Sequence, residues 1–209
     1  MAACHFDYTN LPSAYCMFET FDASDEYDET TKDAQKWLDI ARTLPEKYTA
    51  QVERIWNNWL RARRQLEKIY HLLPSSVFQA DINDTNILLD ENGTFKGVYD
   101  FNIGGREVYI NYIVRQAPYV STNDIYDGLE EDDVFLNRVI HALDIAKKVY
   151  SFSDLEKEAA PLLYKCIRPL WWYASRELKE IVVDEVKIQQ HLDKIEYEQT
   201  REIDFAKHM

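Results

Sequence analysis

The hydrophobic period of this chain changes at Pro74. Before it, Val52, Ile55, Trp56, Trp59, Ala62, Leu66, Ile69, Tyr70 and Leu73 recur at three- and four-residue steps. Arg61, Arg63, Arg64 and Lys68 fall mostly on other faces. That spacing predicts one long amphipathic helix whose Trp and Leu stripe faces a core, and Pro74 stops it. After Pro74 the stretch VFQADINDTNILLDENGTFKGVYDFN (77–102) falls towards a period of two. It predicts a short strand at 76–79, a loop at 80–85, and strands at 86–89 and 95–99. Asp90-Glu-Asn-Gly joins the last pair, because Asn-Gly readily supplies the positive φ angles of a hairpin turn. Beyond Arg106 the pattern reads as helix again, with breaks near Pro118, Asp127-Gly128, residues 151–153, Pro161 and Pro169. A last amphipathic helix carries Val186, Leu192, Ile195 and Ile203. The stretch Ser-Ala-Tyr-Cys-Met-Phe-Glu-Thr-Phe (13–21) reads as a short strand before a solvated acidic loop. The fold class is therefore α+β and mostly α-helical, with a small β insertion.

Composition narrows the function. With 209 residues, 46% of them hydrophobic, the chain can bury a proper core. A formal charge of -13 argues against a nucleic-acid backbone as partner, which needs clustered Lys and Arg. Cys4, Cys16 and Cys166 are odd in number and have no metal-like spacing, so reduced thiols in a cytoplasmic protein are expected. No long uncharged apolar run is present, so no membrane partner is expected. The five histidines are scattered.

A hairpin needs alternating apolar residues and a turn; it does not need Asp81, Asn86 and Asp100. An aspartate before the first strand, an asparagine opening it and an aspartate ending the second can meet at one end. Two carboxylates and an amide oxygen are hard ligands of the kind Mg²⁺ accepts, with water and phosphate oxygens completing the octahedron. A carboxylate left off the metal can take a proton from a hydroxyl. Phosphoryl transfer asks for that division: positioning, charge neutralisation and orientation of the attacking oxygen. A turn cap, a strand start and a strand end would also explain the three residues one at a time, but not their joint pattern.

QADINDTNILLD followed by GVYDF resembles the catalytic loop and metal strand of the aminoglycoside phosphotransferase and choline kinase-like family, which has a protein-kinase-like fold. The resemblance implies that Asp81 is the catalytic base and that Asn86 and Asp100 are metal ligands. It implies Mg²⁺, with ATP or GTP, as cofactors, and a small hydroxyl-bearing acceptor. A cationic one such as an aminoglycoside or amino alcohol would suit the acidic run at 124–133. Residues 31–209 would form the helical C-terminal lobe. Residues 1–30 would be a remnant of the N-terminal lobe's last strand and hinge, with Glu19 near the adenine edge of the nucleotide. Neither a Gly-rich phosphate loop nor a strand-borne lysine is evident before residue 80, so that lobe is expected to be largely missing and self-association to follow from the surface it leaves. Two departures stand out. Gln79-Ala80 replaces the family's His-Gly, and a glutamine can support the loop by hydrogen bonding as the histidine does. Asn102 replaces a common acidic residue, which weakens a two-metal site. Trp171, Trp172 and Tyr173 fit either a core or a substrate pocket. Two readings follow: a phosphotransferase, or a truncated, inert kinase-like domain acting as a binding module. A metal-dependent hydrolase using Asp81 and Asp100 is a third, weaker one.

Overall fold

The computed structural model describes residues 11, 13–15, 17–20, 22–82, 85–102, 104–117 and 131–209. Cys4, Cys16, Phe21, the expected breaks at Pro118 and Asp127-Gly128, and residues 124–130 of the acidic run lie outside them. The elements in order are α1 (Glu29–Ala41), a 3₁₀ turn (Glu46–Tyr48), α2 (Thr49–Tyr70), β1 (Ser75–Gln79), β2 (Ile87–Leu89), β3 (Phe95–Val98) and β4 (Gly104–Val108). Then come α3 (Tyr109–Gln116), α4 (Glu131–Ala146), α5 (Asp154–Ile167), α6 (Trp172–Ile181), α7 (Glu185–Thr200) and a 3₁₀ turn (Phe205–His208). The fold is α+β and mostly helical. Among the described residues no helix is long and apolar enough to cross a membrane.

The chain divides into two compact units. The first comprises the described residues of Met1–Tyr15, Leu72–Ala160 and Asp204–Met209; the second, Cys16–His71 and Pro161–Ile203.

In the second unit α1, α2, α6 and α7 share one core. The stripe expected on α2 is its inner face: Val52, Ile55, Trp59, Ala62 and Leu66 are buried. Val52, Ile55 and Trp59 join Trp37, Leu38, Leu178, Ile188 and Leu192. Polar groups are satisfied inside that core. The Trp59 indole donates to the Cys166 carbonyl at 3.0 Å, and the Tyr164 hydroxyl donates to Glu198 at 2.7 Å. Arg201 completes a buried triad with Glu198 at 2.8 Å. Burial, then the Glu198 charge, holds the Tyr164 hydroxyl far above the usual phenol range. Helix starts follow capping chemistry: Asp28 accepts from the Thr31 amide at 3.0 Å, and Asp184 from the Val186 and Lys187 amides.

Glu177 on α6 faces the Nδ1 of buried His191 on α7 at 3.3 Å. That hydrogen bond, working against desolvation, keeps the Glu177 carboxyl below the ordinary carboxylate value of 4.5. A group with a lowered folded-state pKa adds stability above its unfolded pKa and loses it as pH falls through the folded one. Stability of the wild type is therefore expected to fall faster than that of Glu177→Gln as pH drops below about 4.5; chemical denaturation along a pH series checks this.

In the first unit β1 pairs antiparallel with β4, with Ser75 opposite Val108 and Gln79 opposite Gly104. β2 and β3 form a separate antiparallel pair. α3 packs on β1, β4 and α4. Five features differ from the sequence expectation. Residues 104–108 are strand, so the helix expected beyond Arg106 starts only at Tyr109: Gly-Gly-Arg-Glu-Val has little local preference, and the distant partner β1 decides its state. The described residues of 13–21 contribute one parallel bridge, Ser13 to Arg106, rather than a strand. Phe18 there has φ 63°, which breaks an extended run. The hairpin turn uses a positive φ at Gly93 alone (75°), and Asp90 Oδ1 accepts from the Asn92 and Thr94 amides at 3.0 and 2.9 Å. Pro161 lies inside α5. A helix-interior proline costs about 3 kcal/mol; Leu163 and Tyr164, fully buried just beyond it, offset that at about 2 kcal/mol per large apolar side chain. A capping box starts the same helix, Glu156 accepting from the Ser153 amide at 2.8 Å. Finally, Val186 is exposed and Ile203 lies past the end of α7.

Candidate functional site

Gln79 ends β1 and is buried, 3% exposed. Its side chain spends every polar atom on the main chain beside it. Oε1 accepts from the Asp81 amide at 2.9 Å. Nε2 donates to the Asp81 carbonyl at 3.0 Å and to the Asp100 carbonyl at 2.9 Å. One amide thus ties the loop after β1 to the turn after β3, segments some twenty residues apart. Without that glutamine two carbonyls would lie close together with no shared donor.

Asn86 makes the second tie. It is buried, and its Nδ2 donates to the Asp81 carbonyl at 2.7 Å and to Asp81 Oδ2 at 3.1 Å. The second bond sets the rotation of the Asp81 carboxylate. The Asn86 carbonyl accepts from the Tyr99 amide at 3.1 Å, so Asn86 sits beside the residue that precedes Asp100. The Tyr99 hydroxyl closes the same end of the hairpin on the Thr85 carbonyl. Asp81, Asn86 and Asp100 are thereby gathered at one end of the hairpin. Asp81 and Asp100 are exposed, whereas Asn86 is buried.

Asp100 carries the one unusual backbone conformation of the group, φ 60°. Left-handed geometry costs an L-residue about 1–2 kcal/mol, least for Asp and Asn, whose short polar side chains bond locally. Asp100 does so: its Oδ1 accepts from the Asn102 amide at 3.3 Å. Strain of this kind collects at functional sites, where the surroundings over-determine it. Gly104 follows in the same tight turn, its amide bonded to the Phe101 carbonyl at 3.0 Å. A Cβ there would sit 3.0 Å from that carbonyl oxygen.

Glu19 is the remaining residue named from the resemblance. It belongs to the second unit and is exposed. Trp172 is exposed, while Trp171 and Tyr173 are half-buried in the second unit, with Arg168 lying 5.1 Å over the Tyr173 ring.

The loop is also held from α3, by residues the sequence pattern did not single out. The Tyr112 hydroxyl donates to the Gln79 carbonyl at 3.3 Å. Its ring stacks on Phe78 at 4.0 Å, and burial pushes its hydroxyl pKa up to about 12. Gln116, one turn further along the helix, donates to the Ile82 carbonyl at 2.6 Å. The only sequence signal for this pair is its four-residue spacing, which puts both side chains on one helix face.

The donor set suits a hard cation. Asn86 has given its amide nitrogen to Asp81; its amide oxygen accepts from the Thr85 hydroxyl at 3.4 Å and keeps a second lone pair that could ligate, and Asp100 offers a carboxylate. Among the described residues no three His, Cys, Asp or Glu side chains gather as a metal-binding group. The protein's share of a bound cation's ligands would then be one carboxylate and one amide, with the rest of an octahedron coming from water and ligand oxygens. The chain matches no family model and no curated protein.

Gln79→Leu is expected to destabilise the protein by about 2 kcal/mol, because three hydrogen bonds at roughly 1 kcal/mol each are lost while some water reaches the loop. Gln79→His, which keeps a ring donor, is expected to recover part of that loss. Urea denaturation of the three proteins decides it.

Proposed function

We propose that the chain is a phosphotransferase of the aminoglycoside and choline kinase-like type, moving the terminal phosphate of ATP or GTP to a small hydroxyl-bearing, cationic acceptor. The observation that carries the reading is the double tie of Gln79 and Asn86, which groups a loop aspartate, a buried asparagine and a left-handed aspartate. Gln79 fills the supporting role that the resemblance gives to histidine. Asn86 and Asp100 would hold Mg²⁺, which when bound neutralises charge on the transferred phosphate. Asp81, its carboxylate rotation fixed by Asn86, would orient the acceptor hydroxyl and take its proton. Asn86 would therefore have two tasks: its nitrogen aligns the base and its oxygen would help hold the cation. Leu88, two residues on and half exposed, offers an apolar surface beside the site.

A second reading, an inert kinase-like binding domain, is favoured by Ala80 and Asn102, which stand where the family pattern has glycine and an acid. Calorimetric titration with ATP and with GTP, each with Mg²⁺ and with EDTA, separates the two. Metal-dependent binding supports the phosphotransferase; binding of neither nucleotide in either condition supports the inert domain. Transfer of the terminal phosphate to a panel of aminoglycosides and amino alcohols then tests the acceptor class.

A further inference from the structure

The segment of residues 11 and 13–15 lies along β4. The Ala14 amide donates to the Arg106 carbonyl at 2.9 Å, and Arg106 Nε donates to the Leu11 carbonyl at 3.3 Å. Buried Glu107 receives the Ser13 hydroxyl at 3.2 Å and the Tyr15 amide at 3.1 Å on the same oxygen. Among the described residues one parallel bridge joins this strap to β4, against the five paired residues of the β1–β4 ladder.

The strap ends on the loop that carries Asp81. The Tyr15 hydroxyl donates to Gln116 Oε1 at 3.0 Å, and the nitrogen of the same amide donates to the Ile82 carbonyl at 2.6 Å. Gln116 is buried, 5% exposed. A planar amide that accepts on one side and donates on the other has its orientation fixed by both partners. With Tyr15 seated, the oxygen must face the strap and the nitrogen must face the loop. With Tyr15 gone, the acceptor side has lost its donor, and a flipped amide would set oxygen against the Ile82 carbonyl. The Tyr15 ring lies 6.3 Å from that of Tyr112, whose hydroxyl holds the Gln79 carbonyl on the near side of Asp81. Arg115 covers the Tyr15 ring at 5.3 Å. The carbonyls flanking Asp81 in the chain are therefore both held by side chains that the strap contacts.

We propose that this strap is a conformational regulator of the candidate site: its seating on β4 sets the order of the 79–82 loop through a Tyr15–Gln116–Ile82 relay. Only the consequence for phosphoryl transfer rests on the function proposed above; the coupling stands on these bonds. Anything that lifts the strap loosens the loop, and anything that orders the loop favours the seated strap, by the reciprocity of coupled equilibria.

The test is amide hydrogen exchange by mass spectrometry on the full chain without metal or nucleotide, in wild type, Tyr15→Phe, Gln116→Leu and the double variant. Tyr15→Phe keeps the ring and deletes one hydroxyl, so the fold stays intact, and unchanged exchange in α2 verifies it. Peptides covering 79–82 are expected to exchange about fivefold faster in either single variant, the worth of one hydrogen bond. They are expected to exchange no faster in the double, because both changes cut one relay. Wild-type exchange of that loop in Tyr15→Phe overturns the proposal, as do single effects that multiply in the double. Nucleotide titration of the wild type is read separately. Its failure removes the phosphotransferase and leaves the relay standing, whereas a silent Tyr15→Phe does the reverse.

Discussion

Asp100→Gly is expected to weaken Mg²⁺-dependent binding of ATP or GTP by about a hundredfold or more, the upper end for losing even a residue that only supports a metal ligand. Asp81→Asn is expected to leave that binding nearly unchanged and to slow phosphate transfer by about 10²–10⁴, the usual contribution of a positioned general base. The contrast follows from geometry. Asp100 is the carboxylate proposed for the cation, and its carbonyl accepts from the Gln79 amide beside a left-handed φ of 60°. Asp81 is aligned by the Asn86 amide and lies on the loop rather than the hairpin. Glycine is the right replacement at 100. An alanine at φ 60° would add strain of about 1 kcal/mol and blur loss of a ligand with loss of the turn, whereas glycine accepts that φ freely. In a thermal shift experiment, nucleotide at about a hundred times its dissociation constant stabilises by about 2.7 kcal/mol. That rise should be absent in Asp100→Gly and intact in Asp81→Asn. Equal responses in all three proteins would mean that Asp100 holds no metal.

The hairpin was legible because its determinants are local. Apolar alternation, an Asn-Gly pair and a bounding proline all act within a few residues, so β1, β2 and β3 fall within a residue or so of their predicted places. α2 was legible for the same reason, since one long stripe fixes its period and its buried face. What escaped depends on partners far away in the chain. β4 owes its extended state to pairing with β1, and its two glycines conceal it. Pro161 reads as a break until the burial of the turn beyond it is known. At the proposed site, spacing singled out Asp81, Asn86 and Asp100 and allowed Gln79 a supporting hydrogen bond, but not the partners of that bond. Gln79 looked like a departure from a pattern, and the structure makes it the residue that bonds both segments. Tyr15 and Gln116 lie about a hundred residues apart, and no periodicity links a hydroxyl to an amide over that distance.

Trp37→Ala is expected to be the most damaging single truncation in the second unit. Trp37 is fully buried on α1, and its indole N–H donates to His191 Nε2 on α7 at 3.1 Å. The other His191 nitrogen faces Glu177 on α6 at 3.3 Å. One chain of polar contacts therefore crosses three helices inside an apolar core. Removing a buried tryptophan costs about 3–5 kcal/mol through lost burial and the cavity left behind. The imidazole nitrogen it leaves without a donor adds about 1–3 kcal/mol. Against a total of about 5–15 kcal/mol for an ordinary domain, that unit should be largely unfolded or nearly so. Trp37→Phe separates the two contributions, because it keeps most of the volume and loses only the donor; it is expected to cost about 1–3 kcal/mol. Adding His191→Leu to Trp37→Phe should then cost less than the two single changes together, since an apolar pair leaves no orphaned nitrogen. Urea denaturation followed by helical circular dichroism measures all four proteins. Strict additivity of the two single effects would mean that packing alone, and not the indole–imidazole bond, holds α1 against α7.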